Sequence, residues 1–179
     1  MLADMKTTYP FSPKSNRSLL PGQFWSISLT SGRFACGRVL DVPPTEEKQL
    51  REFYAGLMDW VGDNPPTAER IAGSRIIEQG LTHIKTITAR NAMILGCRPL
   101  ELDQLQLPFT VAQSCWQPGA VVMQGYQEVR ASYPEEHPWK YISGPEGIRK
   151  VEQSEALPVQ STWGYNFIYL LAEKHFGHS

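Results

Sequence analysis

The alternation of apolar and polar residues is clearest near the start of the chain. Trp25, Ile27 and Leu29 alternate with Ser26 and Ser28, so one face of a strand is apolar. Thr30-Ser31-Gly32 suits a three-residue hairpin loop, with Gly32 at positive φ. The return strand is Phe34-Ala35-Cys36-Gly37-Arg38-Val39-Leu40. That loop length pairs Leu29 with Arg33, sets Ile27 against Ala35, and sets Trp25 against Gly37. The largest side chain then faces bare backbone. Phe34 and Cys36 share the opposite face with the two serines.

Further along, the pattern changes period. Leu50, Phe53, Tyr54, Leu57, Met58 and Val61 recur at steps of three and four, which predicts a helix from about Glu46 to Val61. Thr45 is its N-cap, and Gly62 to Pro66 ends it. A short helix is expected at 67–72, and 74–78 is ambiguous. Leu81, Ile84 and Ile87 predict a second short helix over 81–89, and Ala92 to Leu95 reads as a buried strand. Leu100 to Leu107 alternates leucines with Glu101 and Asp103 in strand fashion. Gly119 to Ala131 suits one or two strands with Gly125 at a bend. Ser161 or Thr162 caps a last helix that carries Phe167, Ile168, Leu170 and Leu171 and ends near Phe176-Gly177. The Pro-interrupted stretch 1–20 reads as an arm, and 21–179 as one domain. Short strands and helices without βα alternation imply an α+β fold. The expected core is a curled antiparallel sheet, barrel-like in one version, opened by the hairpin and flanked by two or three helices.

The hairpin resembles the start of the bacterial immunity protein 26 family. The residues that carry the likeness are Gly22, the pair Phe24-Trp25, Ile27, Leu29, the Gly turn, and the run Phe34 to Leu40. An echo follows between Gly80 and Leu102, a Gly-x-x-His-Ile-x-x-Ile stretch and then Met-Ile-Leu-Gly. The resemblance implies a protein that binds and neutralises a cognate toxin delivered between competing bacteria. Family naming also attaches a small phosphotriesterase, so the resemblance brings in a hydrolase as an alternative. A small β-barrel adaptor that binds peptides is a third reading.

Composition narrows the partners. A net charge of −1 over 179 residues offers no global field for nucleic acid or an anionic membrane. No stretch approaches the roughly 20 apolar residues of a membrane span. The N-terminal 20 residues lack the apolar core of a signal peptide. Cys36, Cys97 and Cys115 are an odd, widely spaced set, which fits reduced thiols. A cytoplasmic protein, monomeric or weakly dimeric, is therefore expected.

Candidate chemistry is sparse. The four histidines are His83, His137, His175 and His178, with no His-x-His, CxxC or HExxH pattern. His175 and His178 read as helix C-terminal decoration, and His83 as a hydrogen-bonded, partly buried imidazole. Cys36 reads as packed and inert. No catalytic residue, metal or cofactor is therefore assigned. For binding, Trp25, Arg33, Arg38, Glu135, Glu136 and Trp139 are the candidates. Arg38, cross-strand from Phe24, is either a carboxylate or anion contact or a rim arginine whose stem covers that ring. Trp139 belongs to a cluster of loop aromatics of the type that forms hot spots. Glu46-Glu47, Glu101 with Asp103, and Glu135-Glu136 are acidic pairs able to face a basic toxin.

Overall fold

A computed structural model describes residues 7–43, 50–107, 110–111, 122–128 and 160–177. Eight strands and two helices follow one another: β1 (Gln23–Ser28), β2 (Phe34–Asp41), β3 (Glu52–Gly62), β4 (Ile76–His83), α1 (Lys85–Thr88), β5 (Ile94–Cys97), β6 (Thr110–Val111), β7 (Val122–Gln124), β8 (Gln127–Glu128) and α2 (Phe167–Phe176). The main sheet has the order β4-β3-β2-β1-β5 and is antiparallel throughout. It stays open rather than closing into a barrel, and β6, β7 and β8 form a second, small sheet. The architecture is the expected α+β arrangement around a curled sheet.

The hairpin has the register that its loop length implies. Trp25 faces Gly37, Ile27 faces Ala35, and Phe24 faces Arg38. Leu29 N–H donates to the Arg33 carbonyl across 2.9 Å, and Gly32 sits at φ +85°. A Cβ at residue 37 would overlap the Trp25 indole. Trp25 can therefore lie flat on β2, where its ring meets Phe53 edge-on at 5.8 Å.

The helix expected over 46–61 is instead strand β3, and residues 44–49 fall outside the described set. The sheet is covered on both faces, and β3 is an interior strand between β4 and β2, buried without interruption from Phe53 to Met58. On one face Phe53, Ala55 and Leu57 join Trp25, Ile27, Val39, Ile84, Ile87, Ile168 and Leu171. On the other, Met58 joins Phe24, Cys36 and Ile71. A step of four returns to the same face in a strand as well as in a helix, so two interleaved strand faces imitate a helical stripe.

Other corrections share this origin. Ile76–His83 is strand, leaving only one turn of helix at Lys85–Thr88 in place of 81–89. Residues 68–73 form turns rather than a helix. Leu100–Asp103 is a 3₁₀ turn, not a strand, and Gln104 closes it in the left-handed region at φ 54°. The expected buried strand is shifted slightly, to Ile94–Cys97. The strands with a bend at Gly125 are β7 and β8, turning through Gly125 at φ +61°. Helix α2 starts at Phe167 rather than at a Ser161 or Thr162 cap. Those two residues instead lie along β4, where Leu81 N–H donates to Ser161 O at 2.9 Å and Trp163 N–H donates to Leu81 O at 2.7 Å. Trp163 covers Gly80 as Trp25 covers Gly37.

Residues 7–20 pack onto this frame. The Asn16 amide donates to Glu52 O at 2.8 Å, Phe11 pairs through its backbone with Ile94, and Leu19 is buried. Among the described residues, no helix is long and apolar enough to cross a membrane.

The Trp25–Gly37 stack sets the first prediction. Gly37→Ala lowers stability by roughly 1–3 kcal/mol, the cost of overpacking a filled core. Gly164→Ala, whose Cβ would meet nothing within 4 Å, does not lower it. Urea midpoints of the two variants against wild type make the comparison.

Candidate functional site: a buried ion-pair cluster and a groove along β1

Arg38 projects from β2 into the face that also holds Phe24, and its side chain is completely buried. A buried guanidinium demands acceptors. Nη1 donates to Asp103 Oδ2 at 3.1 Å, and Nη2 donates to the carbonyls of Arg98 and Pro99. The other Asp103 contacts complete the cluster. Arg98 Nε lies 2.9 Å from Oδ2 and Arg98 Nη2 2.9 Å from Oδ1, and Gly73 N–H donates to Oδ1 at 2.9 Å. Arg75 Nη1 reaches the Asp103 carbonyl at 3.1 Å. The hydrogen bonds from Arg98 foremost, then those from Gly73 and Arg38, hold the Asp103 carboxyl well below the usual carboxylate range against the opposing effect of burial. Arg38 is thus a carboxylate contact, but an internal one.

Asp103, counted in the sequence among acidic residues open to a partner, is used up inside the protein, while Glu101 is exposed. Trp25 lies in the core at 1% exposure. Arg33 is partly exposed and pairs with Asp63 at 3.0 Å on the surface. Glu135, Glu136 and Trp139 fall outside the described residues, as do Glu46, Glu47 and Cys115. The structure therefore puts Trp25 and Arg38 on opposite faces of the hairpin and does not unite the described candidates, Trp25, Arg33 and Arg38, at one spot.

The described cysteines and histidines are Cys36, Cys97, His83 and His175. Burial pushes the Cys36 thiol up to about 12, and burial also raises Cys97. His83 lies at the end of β4, not on a helix. Its Nδ1 accepts from Lys85 N–H at 3.0 Å, and burial, with Lys85 and Arg51 nearby, lowers its pKa. His175 reaches Glu78 at 3.2 Å, joining α2 to β4. Among the described residues no three His, Cys, Asp or Glu side chains gather where they could hold a metal. The role of Asp41 is structural. It accepts from Tyr126 N–H at 2.9 Å and so docks the β7–β8 turn, while burial raises its pKa.

A groove of about 410 Å³ opens along the outer side of β1. It is floored by Trp25, Ile27 and Ile168 and walled by Ser26, Ser28 and the 90–93 loop. Strand β5 pairs with β1 only from Gln23 to Trp25, with a register shift after Phe24. Beyond Trp25 the outer side of β1 has no strand among the described residues. Sequence reasoning misses this groove because nothing in the β5 segment marks where its pairing with β1 ends.

The fold and this site define a two-faced α+β sheet protein with a buried Arg38–Asp103–Arg98 cluster and, among the described residues, an uncovered length of β1. The family is shown directly by comparison: the model of Immunity protein 26 matches residues 20–121. That is more than half of the chain, which belongs to the immunity protein 26 family. No curated protein and no solved structure matches the chain.

The buried cluster and the surface pair differ sharply in consequence. Asp103→Asn leaves Arg38 without its counter-charge and costs about 3–5 kcal/mol. Asp63→Asn, at an exposed pair, costs at most about 1 kcal/mol. Since the folded carboxyl titrates below its ordinary 3.8, the Asp103 contribution is complete above that pH and is lost as pH falls below it. Wild type therefore loses more stability than Asp103→Asn on acidification below about pH 4, measured by urea unfolding at a series of pH values.

Proposed function

We propose that the protein binds a cognate bacterial toxin domain and neutralises it by occupying it, with no chemistry of its own. Membership of the immunity protein 26 family carries this reading. The internal use of the polar groups supports it. Arg38, Asp103 and Arg98 are bonded to one another inside the protein, and the Cys36 thiol, raised to about 12, carries no thiolate at neutral pH. Neutralisation then rests on surface complementarity. The acidic pair Glu135-Glu136 would steer a basic toxin, and Trp139 would supply an aromatic anchor within the same stretch. Partly exposed Arg33 would contribute at the rim, while Trp25 and Arg38 act by holding the hairpin that presents β1.

Protection of a toxin-expressing cell provides the test. Co-expression with the toxin domain that co-purifies with the tagged protein restores growth, and the purified pair forms a stoichiometric complex. A protein that neither binds nor protects against any such domain overturns the reading. Reversing the charges at Glu135 and Glu136 slows association several-fold at low salt with little change in the dissociation rate, read by stopped-flow or surface plasmon resonance. An unchanged on-rate removes these two residues from the interface.

A further inference from the structure

The two edges of the main sheet are finished differently. Along β4, residues 161–163 run beside the outer edge and take up the N–H and C=O of Leu81. Along β1, β5 covers the first half and then leaves. The direction of the uncovered groups follows from the hairpin register. Leu29 exchanges a ladder bond with Arg33, so the alternating pairs Ile27–Ala35 and Trp25–Gly37 do the same. The residues between them, Ser26 and Ser28, direct their backbone N–H and C=O away from β2; the Trp25–Ile94 pairing takes up the Ser26 N–H, which leaves the Ser26 C=O and both groups of Ser28 toward the groove. Ser28 is exposed, and no described residue pairs with it on that side. The Ser26 hydroxyl lines the groove, buried and without a partner among the described residues.

The opposite wall is already formed. Asn91 N–H donates to Thr88 O at 3.1 Å and Ala92 N–H to Ile87 O at 3.2 Å, which fastens the 90–93 loop to α1. The Arg90 guanidinium carbon lies 3.4 Å from the centroid of the Tyr169 ring, and the residue is exposed. Among the described residues lining the groove, Arg90 alone carries a charge.

We propose that this edge receives an extended, acid-bearing segment of the toxin, which adds as a strand against Ser26–Ser28 and sets a carboxylate on Arg90. The proposal rests on the immunity reading. A row of backbone donors and acceptors recognises another backbone, apolar flooring takes alternate side chains, and a lone guanidinium selects a carboxylate. An unpaired edge that continues a formed sheet also requires no rearrangement before binding.

Ser28→Pro tests it. The change deletes one outward N–H and leaves the β1–β2 ladder intact, since proline is tolerated on a strand edge whose N–H faces solvent. Ser28→Ala keeps the donor, and Arg90→Glu reverses the charge without touching the strand. Two probes are used: the toxin domain that co-purifies with the wild-type protein, and peptides selected from a random phage-displayed library on the full-length protein. Wild type and Ser28→Ala bind both alike. Ser28→Pro and Arg90→Glu, with unchanged melting temperatures, bind at least about ten-fold more weakly, a loss of 1.4 kcal/mol. Amide exchange at Ser28 slows in the wild-type complex. If Ser28→Pro misfolds, Arg90→Glu and the Ser28 exchange rate decide. A toxin bound equally by all variants, with Ser28 exchange unchanged, overturns the edge while leaving the immunity reading intact. Selected acidic peptides that need Ser28 N–H and Arg90, in a protein that neutralises no toxin, establish the edge and overturn that reading. No enriched peptide, together with self-association abolished by Ser28→Pro, overturns it in favour of a second copy of the chain.

Discussion

The Asp103 carboxylate draws together β2 through Arg38, the segment after β5 through Arg98, and the turn before β4 through Gly73 N–H, and the fold depends on that junction. Those three pieces are remote in sequence, and they close the face of the sheet that α2 does not cover. A buried arginine alone would cost several kcal/mol in lost hydration. It is tolerated because its two terminal nitrogens meet a carboxylate and two backbone carbonyls, while Nε has no partner among the described residues. The carboxylate in turn accepts from two guanidiniums and a backbone amide. The surface pair Arg33–Asp63 has similar length but remains solvated, so it has little influence on the fold.

Around this anchor the sheet is packed on both sides, and the close approach of large rings is possible because glycines lie beneath them. Trp25 rests on Gly37, and Trp163 rests on Gly80. The second contact brings 161–163 beside β4 and thereby sets where α2 begins. Glu173 on that helix then accepts from Thr30 N–H at 2.6 Å in the hairpin loop, and His175 reaches Glu78. The helix is tied to the β1–β2 loop and to β4, and these contacts place Ile168 and Tyr169 along the groove. Stability and the shape of the exposed β1 edge thus come from the same contacts.

How much of this is readable varies with the range of the interaction. The hairpin is legible in detail, because alternation, loop length and Gly32 are local and agree with one another. The pairing of Trp25 with Gly37 follows from counting. Strand β3 reads as a helix because it is buried on both faces, and a period of four does not separate a helix from a doubly covered strand. Residues 161–163 read as a helix cap because their partner, Leu81, lies far away in the chain.

Arg38 shows where local reading ends. Phe34 to Leu40 alone leaves Arg38 open between a carboxylate or anion contact and a rim arginine covering Phe24. With 18 acidic residues in the chain, the choice of Asp103 is made only when the 3₁₀ turn at Leu100–Asp103 swings it beneath β2. The family signature, the hairpin register and the inertness of Cys36 are written in short-range pattern. The partner of Arg38, the two-sided burial of β3 and the uncovered length of β1 were settled by tertiary structure, because each depends on which distant segment arrives to satisfy, cover or leave open a group that local sequence can only present.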